Sequence, residues 1–309
     1  MSKARFFMYK LAGKLCTAEA VAAMRGAFAH YPSHPLTKLL YDPYAYRFCS
    51  FPFNLVFFFP PLTIPVFKFY YRKLMLCASS LFIRSYKAEK WLDQYIEEHN
   101  MDQCVLVAAG YDTFSARRKD LVDQLQVFEV DLPNVQKKKR EVMVQVLADK
   151  SVTERIHYVG ADLSKVSLLE ALTTSDAFDQ QKPAFFSMLG LSYYLQKDVF
   201  YDVLKNFSKD FAVGSVLAVD VLLTDESLAH EHLQYKRHIM DFVSALGEPM
   251  VFETNLDELK DKVAEFGLKV VESRLMNDMA GELGLQNDPS SQKCCYAFVL
   301  FENISSDVK

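Results

Sequence analysis

The sequence of 309 residues predicts an α/β fold, in which a seven-stranded, mostly parallel sheet with an antiparallel last strand carries an N-terminal helical cap. Three apolar runs, each ending in a polar element, occur between Gln103 and Leu163 as CVLVAAGYDT, QVFEVDLP and RIHYVGADL. Strand-like and helix-like segments then alternate through the rest of the chain. This alternation is typical of a parallel sheet covered by helices.

The first three runs predict a ligand site at one edge of that sheet. Val105, Leu106 and Val107 have the apolar character of a strand buried on both faces, and Gly110 follows where the backbone must turn sharply. Asp131 ends the second run and Asp162 ends the third. Because the carboxyl ends of parallel strands meet at one edge, we expect these positions to surround a single crevice.

The remaining elements follow from periodicity and from helix and strand boundaries. Trp91, Leu92, Tyr95 and Ile96 predict a helix over residues 89–99, directly before the first strand. Two further helices are expected over residues 197–209 and 256–266, the second ended by Gly267. The later strands are predicted in PAFFSMLG, SVLAVDVLL, LKVVESRL and YAFVLFE. No helix is expected between the last two strands, which should therefore pair antiparallel.

Residues 1–88 are expected to form the cap and residues 89–309 the cofactor-binding domain. The segment from Cys49 to Ile83 is strongly apolar, but Pro52, Pro60, Pro61 and Pro65 divide it, which argues against a membrane-spanning helix. We interpret it as an apolar cap that packs over the crevice. Contact with a membrane surface and simple core packing are the alternatives. The basic N-terminus resembles a transit peptide in composition, but an amphipathic leading helix fits it better.

Composition narrows the choice of partners. A net charge of -4 gives no basic surface for nucleic acid. The scattered cysteines, which contain no CxxC pair, indicate a reduced, cytoplasmic protein. The histidines at 230 and 232 would not share a helical face, so no metal site is expected. The charge run from Lys137 to Arg140 is expected to be a solvated helical face.

The loop after the first strand distinguishes between cofactors. A dinucleotide site would show GxGxxG there, whereas this chain has AAGYDT with one glycine, so S-adenosylmethionine fits better than NAD(P). Asp131 suits the ribose hydroxyls, and Glu129, which has the same strand parity, is the reserve candidate. Asp162 suits the adenine amino group, and Leu163 offers a backbone amide. A capping role at a strand end is the alternative for Asp131 and Asp162.

These residues resemble the leucine carboxyl methyltransferase family and its bacterial relatives. The resemblance covers most of the chain and rests on TAEAVAAMR (17–25), LLYDPYAYRF (39–48), FIRSYKAEKWL (82–92), VLVAAGYDT (105–113), FEVDLPNVQKKKREVM (128–143) and YVGADL (158–163). It implies a Rossmann-like methyltransferase sheet and S-adenosylmethionine as the cofactor.

The resemblance also implies roles for individual residues. Arg84 and Arg25 would hold the methionine carboxylate, and Gly110 would allow close backbone approach. Asp131 would hold the ribose, and Asp162 with Leu163 the adenine. The chain departs from the family at Leu189, where many relatives carry a glutamate before the glycine. The main-chain carbonyl there is the remaining acceptor for the cofactor's ammonium group.

The sequence shows no clear catalytic base. Tyr193, Tyr194, His30 and His34 are the weak candidates, and a structural role is the alternative for each. We therefore expect an S-adenosylmethionine-dependent O-methyltransferase that acts on a carboxylate, or on a hydroxyl, of a small molecule or peptide C-terminus. The competing hypotheses are a catalytically inactive cofactor-binding protein, a membrane-peripheral interaction protein and an NAD(P)-dependent oxidoreductase.

Overall fold

A computed structural model describes residues 17–50, 57, 78–147, 154–291 and 294–305. Its strands are β1 (Gln103–Val107), β2 (Gln126–Asp131), β3 (Ile156–Gly160), β4 (Phe185–Met188), β5 (Val216–Leu222), β6 (Leu268–Leu275) and β7 (Tyr296–Asn303). They form a single seven-stranded sheet in the order β3-β2-β1-β4-β5-β7-β6.

The pairing confirms the predicted mixed sheet. β1 pairs in parallel with both β2 and β4, and β2–β3 and β4–β5 are also parallel. β7 lies between β5 and β6 and is antiparallel to both. The chain leaves β1 toward β2 on one side and later returns to β4 on the other. This makes the carboxyl ends of β1 and β4 a topological switch point, where open α/β sheets bind ligands.

Eleven α-helices lie in the described part of the chain. They are α1 (Thr17–Ala29), α2 (Pro35–Leu39), α3 (Ala78–His99), α4 (Phe114–Arg117), α5 (Lys119–Val122), α6 (Pro133–Val146), α7 (Leu168–Leu172), α8 (Lys197–Asp210), α9 (His230–Ala245), α10 (Leu256–Ala264) and α11 (Met276–Glu282). Short 3₁₀ turns occur at Ala45–Phe48, Ser192–Tyr194 and Asp225–Ser227.

The predicted helices α8 and α10 are present, and Gly267 follows α10 with a φ of 77°. The expectation that no helix separates the last two strands was wrong, because α11 lies between them. Met276, Met279 and Ala280 are buried, and their helical spacing anchors this short helix on the core. As expected, β7 is antiparallel to β6 although α11 lies between them.

Helix α3 is longer than predicted and links the two parts of the chain. It spans Ala78–His99 in the described part of the chain, so it includes residues before Glu89 and runs through the boundary expected at residues 88 and 89. Trp91 stacks on Phe298 of β7, with ring centroids 4.7 Å apart. Phe82 is fully buried and meets Phe28 of α1 edge-on at 5.2 Å. The same helix therefore contacts both the sheet and the N-terminal helices.

The core has two apolar layers, one on each side of the sheet. Leu106 packs in the layer that contains α1 and α3, whereas Val105 and Val107 pack in the layer that contains α8 and α10. This alternation confirms that the first strand is buried on both faces. Within the described residues, no helix is both long and apolar enough to cross a membrane. Residues 1–16 and most of the apolar segment from Cys49 to Ile83 lie outside the described residues, so the expectations for them stay open.

The charge run from Lys137 to Arg140 is not entirely a solvated face, because Lys139 is fully buried. Its ammonium group forms an ion pair with the equally buried carboxylate of Glu129 on β2. Ser115 donates a hydrogen bond to the other carboxylate oxygen of Glu129 at 2.6 Å. The sequence did not reveal this pair, because the other three cations of the run are exposed or half-exposed on α6 and only Lys139 is buried.

We expect Lys139→Met to lower the free energy of unfolding by about 3–5 kcal/mol, since it leaves the Glu129 carboxylate buried without its cation. The double variant Glu129→Met/Lys139→Met should recover most of that loss, because it removes both charges together. Urea unfolding of the three proteins measures the difference.

The matched control is Lys137→Met, since Lys137 is exposed on the same helix. It should change the free energy of unfolding by no more than about 0.5 kcal/mol. Equal losses for the variants at 137 and 139 would show that the buried pair contributes nothing specific.

Candidate functional site

The loop after β1 has a backbone conformation that lets the Gly110 amide contact the Asp131 carboxylate. Ala108 and Gly110 adopt positive φ values of 53° and 49°. The Gly110 amide donates to Asp131 Oδ2 at 2.6 Å, and the Leu132 amide donates to Oδ1 at 2.7 Å. The Asp131 side chain is half-buried at the carboxyl end of β2. The predicted neighbours Gly110 and Asp131 are thus in direct contact.

Residues of the N-terminal part cover this loop. A Cβ added at Gly110 would lie 3.4 Å from the Cβ of Ala18 on α1. Tyr111 stacks almost parallel on Phe48, with ring centroids 4.9 Å apart. The Lys138 ammonium lies 4.8 Å from the Tyr111 ring centroid and donates to the Phe48 carbonyl at 3.0 Å. The loop is therefore held between α1, the Ala45–Phe48 turn and α6.

A buried ion network connects the same parts through Arg25, Asp42, Glu89, Asp112 and Arg117. Arg25 donates to Asp112 Oδ2 at 2.9 Å, and Arg117 donates to Asp112 Oδ1 at 3.1 Å. Arg117 also bonds Glu89 at 2.7 Å, and both arginines lie 3.8 Å from Asp42. Burial by itself would raise the pKa of Asp112, but the two guanidinium groups hold that pKa well below its usual range.

Arg84 is held by a different acid. Its Nη1 donates to Asp220 Oδ2 at 2.9 Å and to the Tyr193 hydroxyl at 3.1 Å. The Gly190 amide donates to Asp220 Oδ1 at 2.6 Å. Burial first, and then the Asp220 charge, raises the pKa of Tyr193 well above its usual value, so its phenol stays protonated at neutral pH. The two arginines predicted for one carboxylate therefore lie on separate acids, although Arg25 also donates to Ser85, the neighbour of Arg84.

A cavity of about 310 Å³, a volume that includes space open to solvent, lies between α3 and the neighbouring strands β1 and β4. Leu189 lines it beyond β4, and Asp112 and Glu89 contribute carboxylates. Ser85 and Ser187 contribute hydroxyl groups, and the remaining lining is apolar. The cavity thus lies against the two strands, β1 and β4, whose carboxyl ends form the switch point.

Asp162 and Leu163 follow β3 at the same edge of the sheet. The Ala161 amide donates to the Asp131 carbonyl at 2.8 Å, which places the two strand ends side by side. Asp162 accepts from the Ser164 hydroxyl and amide at 2.6 and 3.1 Å and pairs with Lys165 at 2.7 Å. These bonds, led by that from Lys165, lower the pKa of Asp162 to about 2. In this structure Asp162 therefore caps the turn after β3.

The other catalytic candidates have structural contacts. Tyr194 meets Tyr193 edge-on at 4.9 Å. His34 caps α2 by accepting the Leu36 amide at 3.3 Å and lies 3.7 Å from Asp288. His30 stacks on Phe57 at 6.1 Å. Glu129, the reserve candidate for the ribose, is fully buried on Lys139 and Ser115. Of these side chains, Tyr193 is the one in contact with Arg84.

Sequence reasoning missed several polar residues of the site. Asp220 was visible as a single acid inside the apolar run SVLAVDVLL, where burial demands a partner. Asp42, Glu89 and Arg117 carried no comparable signal, because charged residues in loops and on helices are usually solvated. Their association depends on tertiary contacts between segments far apart in the chain.

Comparisons with known proteins agree on one family and one fold. The family model "Leucine carboxyl methyltransferase" matches residues 18–208. The "Putative S-adenosyl-L-methionine-dependent methyltransferase YktD" of Bacillus subtilis (strain 168) is 30% identical over 179 residues. That match spans 57% of this chain and 57% of the relative, which is less than two thirds of the relative's length.

Two solved structures share the fold over most of both chains. A DUF574 family protein from Streptomyces avermitilis MA-4680 has a TM-score of 0.58 and 14% identity, and the match covers 88% of this chain and 97% of that one. A "putative methyltransferase" from Thermobifida fusca YX has a TM-score of 0.57 and 17% identity, with 88% and 94% covered. The expected Rossmann-like methyltransferase sheet is therefore confirmed as a fold.

We expect Asp112→Asn to lower the free energy of unfolding by about 3 kcal/mol at pH 7, since two buried guanidinium groups lose their shared carboxylate. The carboxyl pKa is depressed in the folded state, so its stabilisation is complete above the unfolded pKa of about 3.9 and declines as the pH falls below it. The difference in the free energy of unfolding between wild type and variant should therefore become smaller below about pH 4. Urea unfolding between pH 3 and 7 measures it.

Asp123→Asn is the control, because Asp123 is an exposed acid in the turn after α5. It should leave stability almost unchanged over the whole pH range. A constant gap between wild type and Asp112→Asn would contradict the proposed electrostatic origin.

Proposed function

The chain belongs to the leucine carboxyl methyltransferase family, and we propose that it transfers the methyl group of S-adenosylmethionine to an acceptor oxygen. The observation that carries this proposal is the contact between Gly110 and Asp131 at 2.6 Å beside the β1–β4 switch point. It provides a half-buried carboxylate next to a loop with one glycine. The carboxylate can accept hydrogen bonds from both ribose hydroxyls of a nucleoside. The loop with one glycine suits a cofactor that, unlike a dinucleotide, has no pyrophosphate.

The chain's own residues fit the parts of such a cofactor. Asp131 retains lone pairs for the ribose hydroxyls beside its two backbone donors. Asp162 and Leu163 lie next to it for the adenine, and Arg84 and Arg25 supply guanidinium groups for the methionine carboxylate. The Leu189 side chain offers no polar contact, which leaves the backbone there as the acceptor for the ammonium group. The bound cofactor would supply an activated methyl group.

We propose a carboxylate as the acceptor. With the cofactor bound, the acceptor oxygen would form the new C–O bond while the bond between the methyl carbon and sulfur breaks, and the electron pair of the broken bond would stay on sulfur. A carboxylic acid with a pKa of about 4 is already ionised at neutral pH, so this step needs no base. The raised pKa of Tyr193 makes its phenol unsuitable as a base, which supports a carboxylate. Positioning of the two reactants is then the main contribution of the protein.

Asp131→Asn should weaken binding of S-adenosylhomocysteine by about 10- to 100-fold, since each charge-assisted hydrogen bond contributes about 1.5–3 kcal/mol. Calorimetric titration of wild type and variant measures the affinities. Asp202→Asn, a change at an exposed acid on α8, is the control and should bind like the wild type. Unchanged affinity in the Asp131 variant would refute the ribose placement. If the wild type does not bind S-adenosylhomocysteine, the competing hypothesis of an interaction protein without methyltransferase activity would be favoured.

With methyl-labelled cofactor and a panel of small carboxylic acids and peptides with free C-termini, we expect the label to appear in esters. Mild alkali should release it as methanol, because esters hydrolyse and ethers do not. The rate should also be nearly independent of pH from about 6 to 9, since the acceptor is ionised throughout. An alkali-stable product, or a rate that rises about tenfold per pH unit, would instead identify a hydroxyl acceptor.

A further inference from the structure

Asp220 is a buried acid inside an apolar strand, which requires a reason. It lies on β5 with 1% of its surface exposed, and burying an unpaired carboxylate is strongly unfavourable. Both of its oxygens are engaged: Oδ1 by the Gly190 amide at 2.6 Å, and Oδ2 by Arg84 at 2.9 Å and the Tyr193 hydroxyl at 3.5 Å. Its partners come from three elements, α3, the turn after β4 and the following 3₁₀ turn.

The turn after β4 is shaped to admit the Arg84 guanidinium. Gly190 has a φ of 74°, which favours glycine. A Cβ at this position would lie 3.0 Å from Arg84 Nη2 and 3.1 Å from Nη1. Since any side chain would displace the guanidinium, Gly190 and Asp220 together determine where Arg84 lies.

The cluster lies on the same side of the sheet as the cavity. Ser187 pairs with Ala218 across β4 and β5, and Asp220 follows Ala218 by two residues, so Asp220 shares its face. Ser187 and Leu189 line the cavity from that face. Among the described residues, Arg84 bonds through Nη1, so donors on Nη2 and Nε remain for a ligand.

We propose that Asp220 is the positioning residue that aims Arg84 at the amino-acid half of the cofactor and makes this end of the site selective for a zwitterion. The inference rests on the proposed function. A guanidinium alone attracts any anion, whereas a guanidinium paired with a buried carboxylate carries no net charge. Such a pair complements a ligand group that has both a carboxylate and an ammonium, as an amino acid does. Leu189 adds no charge of its own.

Binding of two ligands can distinguish a role of Asp220 in positioning Arg84 from a general effect on the fold. S-adenosylhomocysteine carries the amino-acid group, and 5′-methylthioadenosine has the same nucleoside without it. Asp220→Asn keeps an oxygen acceptor for the Gly190 amide but removes the charge opposite Arg84. We expect this variant to bind S-adenosylhomocysteine about tenfold more weakly, the effect of one charge-assisted bond. Its affinity for 5′-methylthioadenosine should change by less than about twofold. Calorimetric titration gives both constants.

Two further variants keep the test decisive. Tyr193→Phe removes a hydroxyl from the same cluster but no charge, so it should lose less affinity for S-adenosylhomocysteine than Asp220→Asn does. Arg84→Lys should show the same selective loss as Asp220→Asn, and it provides the answer if the Asp220 variant does not fold. Equal losses for both ligands, or no loss for S-adenosylhomocysteine, would overturn the inference while the wild type still binds. A wild type that binds neither ligand would overturn the proposed function as well.

Discussion

Burying guanidinium groups beside carboxylates is favourable only when desolvation is offset by close pairing, and here that pairing joins segments far apart in the chain. Arg25 of α1 and Arg117 of α4 share Asp112, and both lie 3.8 Å from the fully buried Asp42. Asp112 belongs to the loop that also carries Gly110. The position of the loop after β1 therefore depends on contacts with the N-terminal helices.

A second constraint is the strained backbone of that loop. Ala108 is a non-glycine residue with a φ of 53°, a conformation that normally costs about 1–2 kcal/mol. The surrounding contacts maintain it, because Ala109 donates to Val130 and Gly110 donates to Asp131. Strain of this kind persists where neighbouring structure over-determines the backbone. The result is a loop that already faces β2 before any ligand enters.

Two further buried ion pairs connect strands of the sheet to the helices that cover it. Glu129 with Lys139 supports β2 from α6, and Asp220 with Arg84 connects β5 to α3. Each pair replaces apolar packing with directional bonds close to the carboxyl edge of the sheet. Hydrophobic residues alone would fill the same volume, but they would not specify where a guanidinium or a loop amide points. Proteins usually keep their cores apolar, and buried charged residues are the exception expected near a functional site.

The sequence by itself determined the sheet, because apolar strands alternating with helices have few other ways to bury their faces. It also placed Gly110, Asp131 and Asp162 at strand ends, because strand ends can be predicted from local pattern, whereas Leu189 was singled out through the family resemblance. Only the tertiary structure decided that Arg84 pairs with Asp220, that Arg25 pairs with Asp112, and that Lys139 is buried. Periodicity describes one element at a time. The partner of a charged side chain depends instead on the distances between elements, which packing alone establishes.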